Sequence, residues 1–174
     1  MKKKLLIGTG CLVIILALVI CLTVMMRNSS GQEDKRYALH LYGENFQYTR
    51  GIEAYYDQEG ALKQIEVYLI YDSSSFAISN GSQDAAGKYP GAKSTCTVND
   101  DGSVKISNFL TSESIAAGAL TDNVFYMVNQ IYDRIKTEAD IKAFFEEQKA
   151  FAKENGIPAD ETNYIIMNGK QIKW

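Results

Sequence analysis

The sequence predicts an α+β protein: one N-terminal transmembrane helix, then a mostly antiparallel sheet domain with one or two helices in its C-terminal half. Three observations carry that prediction. Residues 5–26 form a run of 22 positions without a charged side chain. Residues 46–56 and 62–71 alternate apolar and polar side chains with the period of two of half-buried strands. Between positions 124 and 152 the apolar residues recur every three or four places, as on one face of a helix.

The N-terminal run sets the biology. At ~1.5 Å rise per residue it is long enough to cross a ~30 Å hydrocarbon core. Lys2, Lys3 and Lys4 precede it and Arg27 closes it. Three lysines outweigh one arginine, so the amino terminus is expected in the cytoplasm and the rest outside. A cleaved signal peptide has a shorter apolar core, ~7–15 residues, followed by small residues. Here no Ala-x-Ala occurs, and the best cleavage match follows Gly31 with Ser29 at the −3 position. A lipid anchor is disfavoured at Cys21, because Ile20 before it is bulky, and at Cys11, because too little apolar chain precedes it. The expected organisation is a single-pass signal anchor over 1–27, a polar linker over 28–36, and an extracytoplasmic domain over 37–174, held at the cell membrane.

Charge and cysteines narrow the class. Four of the 18 basic residues flank the apolar run and all 21 acidic residues lie beyond it, so the outer domain carries 14 basic residues and a net charge of −7. Nucleic acid and anionic lipid surfaces need positive charge and are not expected partners. Only Cys96 lies in this domain, so no internal disulfide forms. Exported eukaryotic domains of this size are more often stapled. That absence and the triple-lysine start point to a bacterial envelope protein.

The elements follow in order. Residues 37–42 predict a first short strand. Phe46, Tyr48, Ile52, Ala54 and Tyr56 share one face of the next, interrupted by Arg50. Asp57-Gln58-Glu59-Gly60 supplies a turn. The returning strand places Ile65, Val67, Leu69 and Tyr71 inward. Residues 73–89 read as loop with a short helix near 84–88, ended by Pro90-Gly91. A three-residue loop at Asp100-Asp101-Gly102 pairs Val98 with Val104 and Cys96 with Ile106, which gathers all four on one face. Residues 114–120 read as loop or short helix. Thr121 is a plausible cap for a helical stripe through Val124, Phe125, Val128, Ile131, Tyr132 and Ile135. Thr137 with Asp140 forms a second capping pattern. A stripe of Ile141, Phe144, Phe145, Gln148, Phe151 and Ala152 then runs to Asn155, with Gly156 as the stop. Asn168-Gly169 predicts a closing hairpin.

No sequence pattern for a known chemistry is present: no His-Glu-x-x-His, no Gly-x-Ser-x-Gly and no phosphate-binding loop. Neither a metal nor a cofactor is expected. His40 is the lone histidine and reads as a packed or surface residue of a strand. Cys96 would need a base such as His40 beside it to act as a nucleophile, and its apolar face argues instead for a small buried residue. Asn99-Asp100-Asp101-Gly102 lacks the spacing of a calcium loop and is explained as a hairpin turn. Glu53 and Glu66 fall on a solvent face. All 11 tyrosines lie in the outer domain. Tyr55, Tyr68 and Ile70 point outward from the long hairpin, where flat aromatic bodies with polar tips suit a binding surface. The competing reading buries that face beneath the helices.

The stretch Tyr55-Tyr56-Asp57-Gln58-Glu59-Gly60-Ala61-Leu62-Lys63-Gln64 resembles the opening hairpin of the YehR-like small bacterial lipoproteins. Tyr89-Pro90-Gly91 and the two-strand unit after it fit their order, so the resemblance covers roughly 46–109. It implies a small surface-anchored α+β domain and no particular activity. The chain departs from it at Cys21, which lacks the neighbour lipidation requires. The expected function is a membrane-anchored extracytoplasmic interaction module with an envelope protein as its partner. The alternative is a small hydrolase-like envelope enzyme using acidic residues.

Overall fold

Seven strands form one sheet in the order β4-β5-β3-β2-β1-β6-β7, every neighbouring pair antiparallel. They are β1 (Lys35–Gly43), β2 (Tyr48–Tyr56), β3 (Leu62–Tyr71), β4 (Lys93–Val98), β5 (Val104–Thr111), β6 (Tyr164–Met167) and β7 (Lys170–Ile172). Three α-helices separate β5 from β6: α1 (Ser112–Ala116), α2 (Tyr126–Tyr132) and α3 (Glu138–Glu154). This computed structural model describes residues 33–43, 48–72 and 86–174. The expected anchor over 5–26 lies outside them, as do Cys11, Cys21 and Phe46. Among the described residues no helix is long and apolar enough to cross a membrane.

The period-two pattern puts one face of the sheet inward. Tyr37, Leu39 and Leu41 of β1, Ile52, Ala54 and Tyr56 of β2, and Ile65 and Val67 of β3 are all buried and share one cluster. The helices and the turns that flank the second of them close over this face with Phe125, Val128, Ile135, Ile141, Phe144, Phe145 and Ala152. Buried tyrosines need partners for their hydroxyls. Tyr56 donates to the Ile135 carbonyl at 2.6 Å and Tyr37 donates to Glu138 Oε1 at 2.6 Å. The two rings meet edge to face, 5.6 Å apart.

The turns follow their residue types. The loop after β4 leaves Val98 opposite Val104 and Cys96 opposite Ile106, with Asn99 N–H donating to the Ser103 carbonyl at 2.8 Å. Asn168 and Gly169 both have positive φ and join β6 to β7. Gly60 adopts φ +84° at the β2–β3 turn, and a Cβ there would lie 3.3 Å from Glu138 Cβ. The Gly60 carbonyl accepts the Glu138 N–H at 3.0 Å, which pins the start of α3 to the long hairpin.

Several expectations need correction. There are three described α-helices rather than one or two, because residues 112–116 close a capping box at Thr111 and Ser114. The stripe from Val124 to Ile135 is broken into a 3-10 turn and α2, and its cap is Asp122, which accepts from Val124 N–H, not Thr121. Thr121 spends its hydroxyl on the Gly118 carbonyl instead. The box at Thr137 and Asp140 forms in both directions. The first strand begins at Lys35, two residues earlier than the tyrosine that marks it, since Lys35 and Arg36 pair with Tyr56 and Tyr55. Phe151 leaves the α3 stripe and is 45% exposed.

Candidate functional site: the open face of the sheet

The residues that alternate with the core point away from the helices, and no described helix packs against them. Antiparallel sheets tolerate one wet face. Register places four rows across it. Arg36 lies opposite Tyr55 in one row. Ala38, Glu53, Glu66 and Phe109 form the next. Tyr164, His40, Gly51, Tyr68 and Ser107 form the third. Tyr42, Thr49, Ile70 and Lys105 form the last. Tyr55, Tyr68 and Ile70 therefore share this face, and each is half-buried by its neighbours.

Tyr68 is the centre of the arrangement. Its ring lies across Gly51 on the facing strand, where a Cβ would fall 1.9 Å from Tyr68 Cζ. Only a glycine leaves room for it, and the ring in turn shields backbone that glycine leaves bare. His40 flanks it at 6.0 Å between centroids, and Lys105 Nζ sits 4.4 Å from its ring centroid, within cation–π reach. His40 stacks in parallel on Tyr164 at 5.1 Å and donates from Nδ1 to the Thr162 carbonyl at 2.5 Å. Burial pushes the Tyr68 phenol well above its ordinary range, helped by Tyr164, Glu66 and Glu53.

The carboxylates around this ring are committed. Glu53 and Glu66 face each other across β2 and β3, a pairing that repels unless each charge is met. Glu53 accepts from Arg36 Nε at 2.7 Å and from the Tyr55 hydroxyl at 2.6 Å. Glu66 accepts from Lys105 Nζ at 2.7 Å and from the Ser107 hydroxyl at 2.6 Å. Burial pushes the Glu53 carboxyl up, but the bonds from Tyr55 and Arg36 outweigh it and the net shift is downward. A carboxyl held ionised in this way is a poor proton donor near neutral pH.

Other residues singled out by type do not converge. Cys96 is half-buried on the opposite face of β4, and four strand spacings, ~19 Å, separate β4 from His40 on β1. Asp101 is used inside its turn, accepting from Ser103 N–H at 2.9 Å. Among the described residues no cluster of three His, Cys, Asp or Glu is placed to hold a metal. Alternation alone found Tyr55, Tyr68 and Ile70 but missed His40, Tyr164, Gly51 and Lys105. These join Tyr68 only through pairing across strands distant in sequence. The glycine inside a strand, Gly51, was the one local signal of a close approach.

Gly51→Val is expected to expel the Tyr68 ring while the sheet persists. The cost is about 1–3 kcal/mol from the displaced packing. The Tyr68 phenol, freed from burial, is expected to fall toward ~10. Titration of the tyrosine ¹³Cζ resonances by NMR reads this directly. An unmoved Tyr68 resonance in the variant contradicts the seating.

No protein-family model, no curated protein and no solved structure matches the chain, so the face just described rests on its own geometry.

Proposed function

We propose that the protein is a membrane-tethered, extracytoplasmic interaction module whose open sheet face engages an envelope protein. The uncharged run at 5–26 supplies the tether and its flanking lysines the orientation. The observation that carries the reading is the seating of Tyr68, with Tyr55 and Ile70 beside it, on the face that the described helices leave open. Aromatic side chains locked by neighbours lose little entropy on binding, which favours them as anchors. The pairing of Glu53 and Glu66 with cations supports binding over acid–base work. The likeness to small bacterial surface lipoproteins agrees with a tethered domain of this size.

Photocrosslinking in intact cells tests it. A photoreactive residue is placed at Tyr55 or Ile70 on the open face, and at Lys149 on α3 as the control. One discrete adduct from the first two positions and none from Lys149 is the expected result. Adducts of equal yield from all three positions, or from none, overturn the proposal. External protease reaching the C-terminal domain in the same cells checks the orientation.

A further inference from the structure

A cleft of about 490 Å³ opens on the other side of the sheet. It lies where the ends of β1 and β2 meet the last turn of α3 and the loop to β6. Its size falls within the range of small-molecule sites, ~300–1,000 Å³. Arg50 lines it, at the position where the apolar alternation of β2 is interrupted. The other half-buried cations on the sheet each have a carboxylate: Lys35 has Glu138, Arg36 has Glu53, and Lys105 has Glu66. Arg50 forms no ion pair with any described residue. Its guanidinium lies 5.4 Å from the centroid of the Phe151 ring. Burial lowers its pKa, an effect that Tyr48 partly offsets, yet an arginine stays charged at any ordinary pH. A half-desolvated charge without a partner is costly and is relieved by an anion.

We propose that this cleft binds a small organic monocarboxylate, with its carboxylate on the Arg50 fork and its apolar body against Phe151 and Ile157. Guanidinium matches a carboxylate through two parallel hydrogen bonds. Phe151 is the large exposed aromatic of α3, and the rest of the helix buries its phenylalanines. Asp160 at the rim decides against a doubly charged ligand. Its Oδ1 already accepts the N–H groups of Thr162 and Asn163 at 2.8 and 2.7 Å, and its charge repels a second negative group. The cleft lies mainly on the side of the sheet that carries the helices and meets the edge of the open face only at Tyr42 and Thr162.

The chain contains its own reporter. Trp174, the single tryptophan, donates from Nε1 to the carbonyl of Ile157, a residue of the cleft wall, at 2.8 Å. The full-length protein in neutral detergent is titrated with cyclohexanecarboxylate, which does not absorb where tryptophan is excited. A saturable change in Trp174 emission is expected, with cyclohexanecarboxamide inert and cyclohexyl phosphate weaker by about tenfold or more. Arg50→Met is expected to abolish the response and Arg50→Lys to weaken it by about tenfold, since an ammonium lacks the planar fork. Thermal unfolding checks that both variants are folded, and Arg50→Lys decides the matter if Arg50→Met is not. No saturable response in the wild type, an unchanged response in folded Arg50→Met, or tighter binding of the phosphate each overturns the proposal.

Discussion

Replacing Phe145 with alanine is expected to destabilise the domain by about 3–5 kcal/mol. Phe145 is fully buried on the inner side of α3, within the cluster that includes Tyr37, Tyr56 and Ile65. Removing the ring forfeits its transfer free energy and leaves a cavity that a seven-stranded sheet cannot close. For a domain of this length the loss corresponds to roughly 10–15 °C in Tm. Phe151→Ala, six residues further along the same helix, is expected to cost less than about 1 kcal/mol, because that ring is 45% exposed. Denaturant unfolding of the two variants side by side measures the contrast. Equal losses would mean that α3 is rotated from the orientation described.

Glu138→Gln is expected to cost about 2–3 kcal/mol at neutral pH and almost nothing below about pH 2. Glu138 opens α3 and accepts from Lys142 Nζ at 2.6 Å, Lys35 Nζ at 2.7 Å and the Tyr37 hydroxyl at 2.6 Å. Those bonds hold its carboxyl at about 2, against 4.5 when free. The folded pKa is depressed, so its contribution is complete above about pH 5. It is lost progressively as pH falls through 4.5 and through 2, and only below 2 do folded and unfolded chains both hold the proton. The placement also satisfies the positive end of the helix. Loss of the charge leaves Lys35 without its carboxylate, although it still donates to the Gln58 carbonyl at 3.0 Å. Stability measured against pH for wild type and variant is expected to converge at the acid end. Parallel curves across the whole range contradict this account.

The strands were readable because their signal is local. The hairpin of β2 and β3, the three-residue loop before β5, the cap at Thr137 and the turn at Asn168-Gly169 each rest on residues a few positions apart. The helical region was less readable, since the stripe from Val124 to Ile135 fits an unbroken helix equally well. Asp122 breaks it by capping a 3-10 turn, a competition settled by a single side-chain bond. Phe151 had the right spacing for the core and the wrong place. α3 outruns the cluster beneath it, and its last turn meets Arg50 at the sheet's end.

The sequence by itself determined that a long uncharged run precedes an acidic, disulfide-free α+β domain, which residues alternate along each strand, and that Tyr55, Tyr68 and Ile70 share a face. These depend on period and composition, which need no knowledge of partners. Only the tertiary structure decided which face the helices cover, that β6 pairs with β1 and brings Tyr164 onto His40, and that Arg50 stands beside Phe151 in a cleft. The reason is physical. Strand order and helix placement are set by the summed burial of side chains distant in sequence, and one residue's neighbours across a sheet are invisible in its own segment.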